Sequence, residues 1–317
     1  MKIAKQAAVV GIGATPYYRR GESHPQTFNE MICKAIINAT EDAGLSVKDI
    51  DGFSYYSTGT DTGLLMESLG IPEVRYSSMV SGGGGGSVGA VQNAAMAVAT
   101  GAANVVVVPF CMQQPQGKRY GSIMSQIDPT PDKAFFMAAF CEVAMSTREN
   151  AITRPGARFQ KALTKEEYFA GPMIADPLCR YDFCLENDIA GALIITSAER
   201  AKDLKQRPAY VLNGEQGGRR EWGRSIAWMN MPDEYFASAG HASIAKHLYA
   251  DVGITAADVD VALLYDHFSP MVVMQLEDYG FCARGEGGAF VEDGNIRFKG
   301  GSIPVNTHGG NLSEAYA

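Results

Sequence analysis

The sequence repeats one pattern of helix, turn and strand at an offset of 209 residues (251 minus 42). Residues 42–56 read DAGLSVKDIDGFSYY and residues 251–265 read DVGITAADVDVALLY, so three Asp, one Gly, one hydroxyl residue and the final Tyr coincide. A short β-rich segment precedes each copy, at residues 7–13 and 209–214. A duplicated β-α-β unit restricts the chain to α/β folds with two related halves. Chance coincidence is the competing interpretation, since helix, Gly, turn and strand follow one another in many α/β proteins.

Each copy follows a helical pattern, which ends at a glycine within the copy. Apolar residues recur at three- and four-residue steps, at Phe28, Ile32, Ala35, Ile36 and Ala39 in the first copy and at Ile244, Ala245 and Leu248 in the second. Gly44 and Gly253 then predict the ends of the two helices. Residues 46–49 and 255–258 match capping turns, and we expect a buried strand after each turn.

Composition limits the class of protein and its partners. The chain has 317 residues, of which 46% are hydrophobic and 20% charged, so it can bury a large core without disulfides or a structural metal. The 27 basic and 35 acidic residues give a net charge of −8 without long runs of one sign, which argues against nucleic acid as a partner. No apolar stretch approaches the roughly 20 residues that span a bilayer. The six cysteines are scattered and form no metal-binding pattern, so we expect a cytoplasmic protein with no metal site.

The region between the two copies differs in composition from both. Residues 112–175 are rich in Gln, Pro, Met and charge, which indicates an inserted loop region rather than part of either sheet. We therefore expect an N-terminal half at 1–208 that includes this insertion, and a C-terminal half at 209–317.

Two glycine clusters precede helices or end the chain. The first has five successive glycines between Ser81 and Ser87, followed by an Ala-rich helix and a strand at 103–109, and the second lies in residues 306–313. Backbone N–H groups in such loops can approach an oxyanion or a thioester carbonyl. The predicted loop residues are Gly84, Gly85, Gly86, Ser87, Asn306, Gly309 and Gly310. A flexible linker is the alternative for the first cluster.

Gly11 and Gly13 match the start of a dinucleotide-binding fingerprint only weakly. The third glycine is missing and Pro16 occupies its place, so we do not expect a nicotinamide cofactor.

Five segments in order resemble the thiolase superfamily, and most closely its sterol-carrier-protein type, also called lipid-transfer proteins. They are VVGIGATP near the N-terminus, the strand, glycine loop, helix and strand of 78–108, the PL, C, D and AGA pattern of 177–192, YDHF at 265–268 and NTHGGNLSEAY at 306–316. The resemblance implies a thiolase fold, with two duplicated halves in a layered αβαβα arrangement.

The chain departs from the thiolases at three catalytic positions. The nucleophilic cysteine of a thiolase would fall near Gly84, yet no cysteine lies within 20 residues of it. Tyr265 and Tyr316 stand where the family has its two catalytic histidines. This pattern resembles the thiolase-fold aldolases of steroid side-chain degradation, which split a β-hydroxyacyl-CoA into a ketone and a short acyl-CoA such as propionyl-CoA. The resemblance also implies a homodimer, a heterotetramer with a small zinc-ribbon/OB-fold protein, and no cofactor besides the coenzyme A of the substrate.

A retro-aldol reaction suits these substitutions, because it needs a base, an acid and enolate stabilisation but no covalent nucleophile. We expect Tyr265 and Tyr316 to be the acid–base pair, with the two roles unassigned. A free phenol has a pKa of about 10, so this role requires surroundings that lower it. His267, Asp266 and His308 are the expected supporting residues. Packing of Tyr265 in the core, and capping of a turn by Asp266, are the structural alternatives.

Two other functions are compatible with parts of the pattern. A non-catalytic relative could bind acyl-CoA or lipid and serve as a scaffold, whereas the absence of the cysteine disfavours a condensing enzyme. Compared with a thiolase, the chain is short after Tyr316 and near Phe140 and Cys141, and we expect that stretches were omitted at both places.

Overall fold

The computed structural model describes residues 3–56, 60–80, 86–114, 133–217 and 241–316. The strands are β1 (Ala7–Ala14), β2 (Tyr18–Arg19), β3 (Gly52–Tyr56), β4 (Tyr76–Val80), β5 (Val105–Met112), β6 (Met173–Ala175), β7 (Leu178–Cys179), β8 (Asn187–Ser197) and β9 (Ala209–Tyr210). The helices are α1 (Phe28–Ala43), α2 (Thr62–Leu69), α3 (Gly86–Ala99), α4 (Lys133–Ala151), α5 (Lys165–Phe169), α6 (Ala198–Ala201), α7 (Ala242–Val252), α8 (Ser269–Asp278) and α9 (Gly287–Glu292).

One mixed sheet is built from strands between residues 7 and 210. Its strand order is β4-β3-β5-β8-β1-β9, and β2 pairs with the start of β8. The neighbours β3, β4 and β5 run parallel, whereas β8 runs antiparallel to both β5 and β1. The strands β5 and β8 are buried along most of their length, as expected for strands covered on both faces.

Helices cover the two faces of this sheet. The apolar side of α1, with Met31, Ile32 and Ile36, packs against residues of β1, β3, β5 and β8. On the other face the alanines of α3 pack against Val106 and Ile195. Small side chains let α3 lie close to the strands, which explains its Ala-rich sequence.

The two glycines of the weak dinucleotide match are used for packing. A Cβ atom at Gly11 would clash with Ala39 and Ala43 of α1, and one at Gly13 would clash with the α1 backbone at Ala35 and Ala39. The glycines therefore allow β1 and α1 to touch.

The predicted helices and turns of both copies are confirmed. Helix α1 ends at Gly44 and α7 ends at Gly253, each with a φ of 73°. The capping turns are present at both places, because Asp49 accepts the N–H of Ser46 at 2.9 Å and Asp258 accepts that of Thr255 at 2.8 Å.

The predicted strand of the second copy is wrong. The first copy forms β3, but within the described part of the chain the mate segment makes one parallel bridge, between Ala262 and Val305. Its next residues bond to side chains instead: the amide of Asn306 pairs with both backbone groups of Leu264, at 2.8 and 2.9 Å.

Helix α4 comes from the region predicted as an insertion and packs against the C-terminal half. Its residues Ala139 and Val143 share a core with Leu264 and with apolar residues of α8 and α9. The helix runs without interruption through Phe140 and Cys141. Among the described residues, no helix is both long and apolar enough to cross a membrane.

Candidate active site

The side chains of Tyr265 and Tyr316 meet although 51 residues separate them in sequence. Their phenol oxygens lie 2.6 Å apart, a short hydrogen bond in which either oxygen can be the donor. Tyr265 follows the extended segment at Ala262, and Tyr316 follows the π-helical turn Gly310–Glu314. Both tyrosines are half-buried.

Neighbouring segments hold the stretch that ends in Tyr316. The N–H of Leu185 donates to the carbonyl of Asn311 at 2.9 Å, and the N–H of Arg158 donates to that of Glu314 at 2.8 Å. The Glu314 carboxylate is 6% exposed and accepts from Arg154 Nε at 2.6 Å and from the Tyr17 hydroxyl at 3.2 Å. Tyr316 is therefore fixed by its surroundings.

The electrostatic surroundings of Tyr265 differ from the expectation of a lowered pKa. Burial raises the pKa of Tyr265 far above its ordinary value, and the nearby phenols of Tyr316 and Tyr56 and the thiol of Cys184 raise it further. Tyr265 is therefore protonated at neutral pH, and it can release its proton only as it gains another through a hydrogen bond.

His267 stacks on Tyr265, with ring centroids 4.4 Å apart. Burial lowers the pKa of His267 to about 4, so its imidazole is neutral at pH 7. Its Nδ1 atom is buried and finds no hydrogen-bond partner among the described residues. The neutral imidazole packs against the Tyr265 ring and carries no positive charge that would lower the pKa of Tyr265.

Asp266 makes the contacts of a capping residue. Its carboxylate is 1% exposed and accepts the N–H groups of Asn311 at 2.8 Å and Leu312 at 3.3 Å, at the start of the π-helical turn. Burial raises its pKa to about 6, and these N–H bonds oppose the rise. Gly310 lacks a side chain where a Cβ would clash with Asp266.

The second glycine cluster is only partly open to a ligand. The N–H of Asn306 donates to the Ala262 carbonyl, and the N–H of Gly309 donates to the Asn306 carbonyl. Both N–H groups are therefore already engaged in backbone hydrogen bonds. His308 lies 3.8 Å from Glu314, and burial lowers its pKa; the structure places it beside that carboxylate.

The first glycine cluster approaches the same place through its last residue. Gly84 and Gly85 lie outside the described residues, whereas Gly86 and Ser87 begin α3. A Cβ at Gly86 would clash with the ring of Tyr56, so glycine lets the N-terminus of α3 lie against this tyrosine. Tyr56 occupies the position in the first copy of the repeat that Tyr265 occupies in the second. The folded chain places the Tyr56 phenol near enough to raise the pKa of Tyr265.

Sequence reasoning missed three groups near the tyrosines. Cys184 lies near Tyr265, but burial raises the pKa of its thiol to about 12 and keeps it protonated. Glu314 lies in the segment 306–316, but its salt bridge with Arg154 depends on the fold. The only sequence signal for Tyr56 was its alignment with Tyr265 in the repeat. In the described parts of the chain, no cluster of three His, Cys, Asp or Glu residues could hold a metal ion.

Comparisons with known proteins agree on one group of relatives. Residues 221–317 match a family described as thiolase C-terminal domain-like. The chain is 35% identical to a 17-hydroxy-3-oxo-4-pregnene-20-carboxyl-CoA lyase of Mycobacterium tuberculosis, over 99% of this chain and 88% of that protein. It is 36% identical to a steroid side-chain-cleaving aldolase of Thermomonospora curvata, over 98% of this chain and 86% of that protein. A solved structure described as an Ltp2-ChsH2(DUF35) aldolase superimposes with a TM-score of 0.89 and 34% identity, over 100% of this chain and 87% of that one.

Proposed function

The chain belongs to the thiolase superfamily, in the branch of the steroid side-chain-cleaving aldolases, and we propose that it cleaves a steroid β-hydroxyacyl-CoA by a retro-aldol reaction. The protein is a carbon–carbon lyase. Its products are a steroid ketone and a short acyl-CoA, such as propionyl-CoA.

The hydrogen-bonded pair of Tyr265 and Tyr316 supplies the proton path. One phenol accepts the proton of the β-hydroxyl group and passes its own proton to the second phenol, which protonates Cα. Meanwhile the Cα–Cβ bond breaks, its electron pair moves onto Cα to form the thioester enolate, and the β-carbon becomes a ketone. Either phenol can hold either role, and the pair ends with the protons it started with.

The observation that carries this mechanism is the 2.6 Å separation of the two phenol oxygens in a half-buried site. Because the pKa of Tyr265 is raised, a free phenolate is not populated at neutral pH. A relay through two hydrogen-bonded phenols needs no such phenolate, since each oxygen gains one proton as it loses another.

The thioester oxygen is stabilised by backbone N–H groups of the glycine clusters. Gly86 and Ser87, at the N-terminus of α3, are the residues of the first cluster in the described part of the chain. In the second cluster we assign this role to Gly310, because the N–H groups of Asn306 and Gly309 already donate to the carbonyls of Ala262 and Asn306.

The active assembly is a homodimer that binds a zinc-ribbon/OB-fold partner protein. Two observations support this proposal: a similar solved structure is named for both Ltp2 and a DUF35 protein, and β4 is an edge strand of the described sheet. The substrate reaches the tyrosines as a coenzyme A thioester.

The test is cleavage of a steroid β-hydroxyacyl-CoA by the protein mixed with its partner, followed by chromatography of ketone and short acyl-CoA. Tyr265→Phe and Tyr316→Phe should each lower kcat by about 10²–10⁴-fold, the usual contribution of a general acid or base. Tyr249→Phe is the matched control, because its phenol donates to the Tyr279 carbonyl away from the site; it should keep the wild-type kcat.

Two outcomes would contradict the proposal. Wild-type rates in both tyrosine variants would rule out a proton path through Tyr265 and Tyr316. Absence of cleavage by the wild type with its partner, together with binding of the acyl-CoA, would favour a non-catalytic scaffold.

A further inference from the structure

The buried side-chain amide of Asn187 forms two hydrogen bonds with the backbone of Tyr316. Asn187, at the start of β8, is 1% exposed; its Oδ1 accepts the N–H of Tyr316 at 2.8 Å and its Nδ2 donates to the carbonyl of Tyr316 at 3.4 Å. These two residues are 129 positions apart in sequence. Both backbone groups of Tyr316 are thereby tied to a strand in the centre of the sheet.

A second amide does the same for Tyr265. Gln275 of α8 is 3% exposed; its Oε1 accepts the N–H of Tyr265 at 3.1 Å and its Nε2 donates to the carbonyl of Tyr265 at 2.8 Å. The strand ladder has already ended at this point, so the amide satisfies backbone groups that a neighbouring strand would otherwise satisfy. Its Nε2 also donates to the carbonyl of Met271, which fixes the amide to its own helix.

We propose that Asn187 and Gln275 are positioning residues that act together as an amide clamp on the two tyrosines. Each amide holds one residue of the pair by its backbone, and the clamp sets the distance between the two phenol oxygens. The described hydrogen bonds of both amides go to backbone groups, so they act through Tyr265 and Tyr316. The inference rests on the proposed proton relay, to which it adds the residues that align it.

The clamp has a physical reason in the geometry of proton transfer. A phenol oxygen lies far from its backbone, so a small rotation at the anchor becomes a larger displacement at the hydroxyl. A displacement of about 1 Å can cost on the order of 10²-fold in rate. Two hydrogen bonds restrain rotation of the anchored peptide better than one.

Alanine variants test the clamp through kcat. Asn187→Ala and Gln275→Ala should each lower kcat by at least about tenfold while KM changes by less than about threefold, since misalignment affects the transition state more than binding. Thr196→Val is the matched control: it removes one buried hydrogen bond, to the Asn104 carbonyl, at the other end of β8. It should lower the melting temperature similarly and leave kcat within about twofold.

Asn187→Asp gives a pH signature that lost stability alone does not produce. A protonated carboxyl group keeps one acceptor and one donor, as the amide does, whereas an ionised one only accepts and repels the Tyr316 carbonyl. The variant should therefore approach the wild-type kcat at low pH and lose activity as pH rises through the pKa of the introduced carboxyl. The wild type should lack this transition, and melting temperatures at each pH separate it from unfolding.

Carbon-13 NMR of ring-labelled tyrosine reads the clamp without substrate. In both alanine variants the Cζ signals of Tyr265 and Tyr316 should shift because their short hydrogen bond lengthens, and in Thr196→Val they should not. Unchanged Cζ shifts in Asn187→Ala and Gln275→Ala would overturn the clamp. If the wild type fails to cleave any steroid thioester, the proposed function fails, and the NMR result still decides the clamp.

Discussion

The carboxylate of Asp266 caps the start of the π-helical turn next to the two tyrosines. Its folded-state pKa of about 6 lies above its ordinary value of 3.8 because the carboxylate is buried. The folded chain thus binds this proton more tightly than the unfolded chain does. The contribution of Asp266 to stability is therefore present at low pH and falls as pH rises from about 4 to about 6.

Asp266→Asn should remove this pH dependence. Relative to the variant, the wild type should lose on the order of 3 kcal/mol of unfolding free energy between pH 4 and pH 7, as urea unfolding at both pH values measures. Asp258→Asn is a control of opposite sign, since bonds from Thr255 lower the pKa of Asp258 and its contribution is lost as pH falls. A constant difference between wild type and Asp266→Asn would contradict the prediction.

Residue types in the site were predictable, but their states were not. Tyr265 and Tyr316 are prominent because they replace the histidines of a familiar pattern. The direction of the Tyr265 pKa depends on burial and on Tyr56, Cys184 and Tyr316, which come from three distant segments. A role of Tyr265 as a free base requires a lowered pKa, whereas the structure raises the pKa of Tyr265.

Among the elements, β1 and α1 lie so close together that Gly11 and Gly13 leave no room for a side chain. The carbonyl of Ala35 and the N–H of Ala39 occupy the space that a side chain at Gly13 would need. Such contacts cannot relax cheaply, because backbone atoms rather than flexible side chains are in the way.

Gly13→Ala should therefore lower the free energy of unfolding by about 1–3 kcal/mol, the usual effect of overpacking. Gly191→Ala is the matched control on the paired strand, since the nearest described atom to a Cβ there is the Gly13 carbonyl oxygen, at 3.8 Å. That variant should be neutral or stabilised by up to about 1 kcal/mol. Chemical denaturation of both variants measures the difference, and equal losses would contradict the packing argument.

Helices and turns were predicted well because their signals are local. The glycine caps at Gly44 and Gly253 and the boxes at Asp49 and Asp258 depend on residues within about four positions. The strand expected after residue 258 was wrong for a non-local reason. Among the described residues, the amides of Asn306 and Gln275 pair with the backbone of Leu264 and Tyr265 in place of a neighbouring strand.

At the scale of the whole molecule, β4 leaves one side of the described sheet open. Met79 on this strand is 65% exposed, and the other side of β4 pairs with β3. An edge strand with an exposed apolar side chain suits the proposed homodimer, in which a second copy would cover it.

Met79→Lys should shift the protein from dimer to monomer, because a charge would be buried at the interface. Ile37→Lys is the control: Ile37 is 39% exposed on α1, away from β4. Sedimentation velocity at several concentrations measures the mass of each variant. A Met79→Lys dimer as stable as the wild type would exclude β4 from the interface.

The α/β class, the repeat and the helix caps follow from periodicity and from local contacts along the chain, and the two tyrosines stand out by residue type. Which groups meet depends on the packed fold. The Tyr265–Tyr316 hydrogen bond spans 51 positions and the Asn187–Tyr316 contact spans 129. Such contacts depend on how sheet, α8 and the C-terminal turn pack together, because a distance of a few ångströms is set by the summed packing of every element between them.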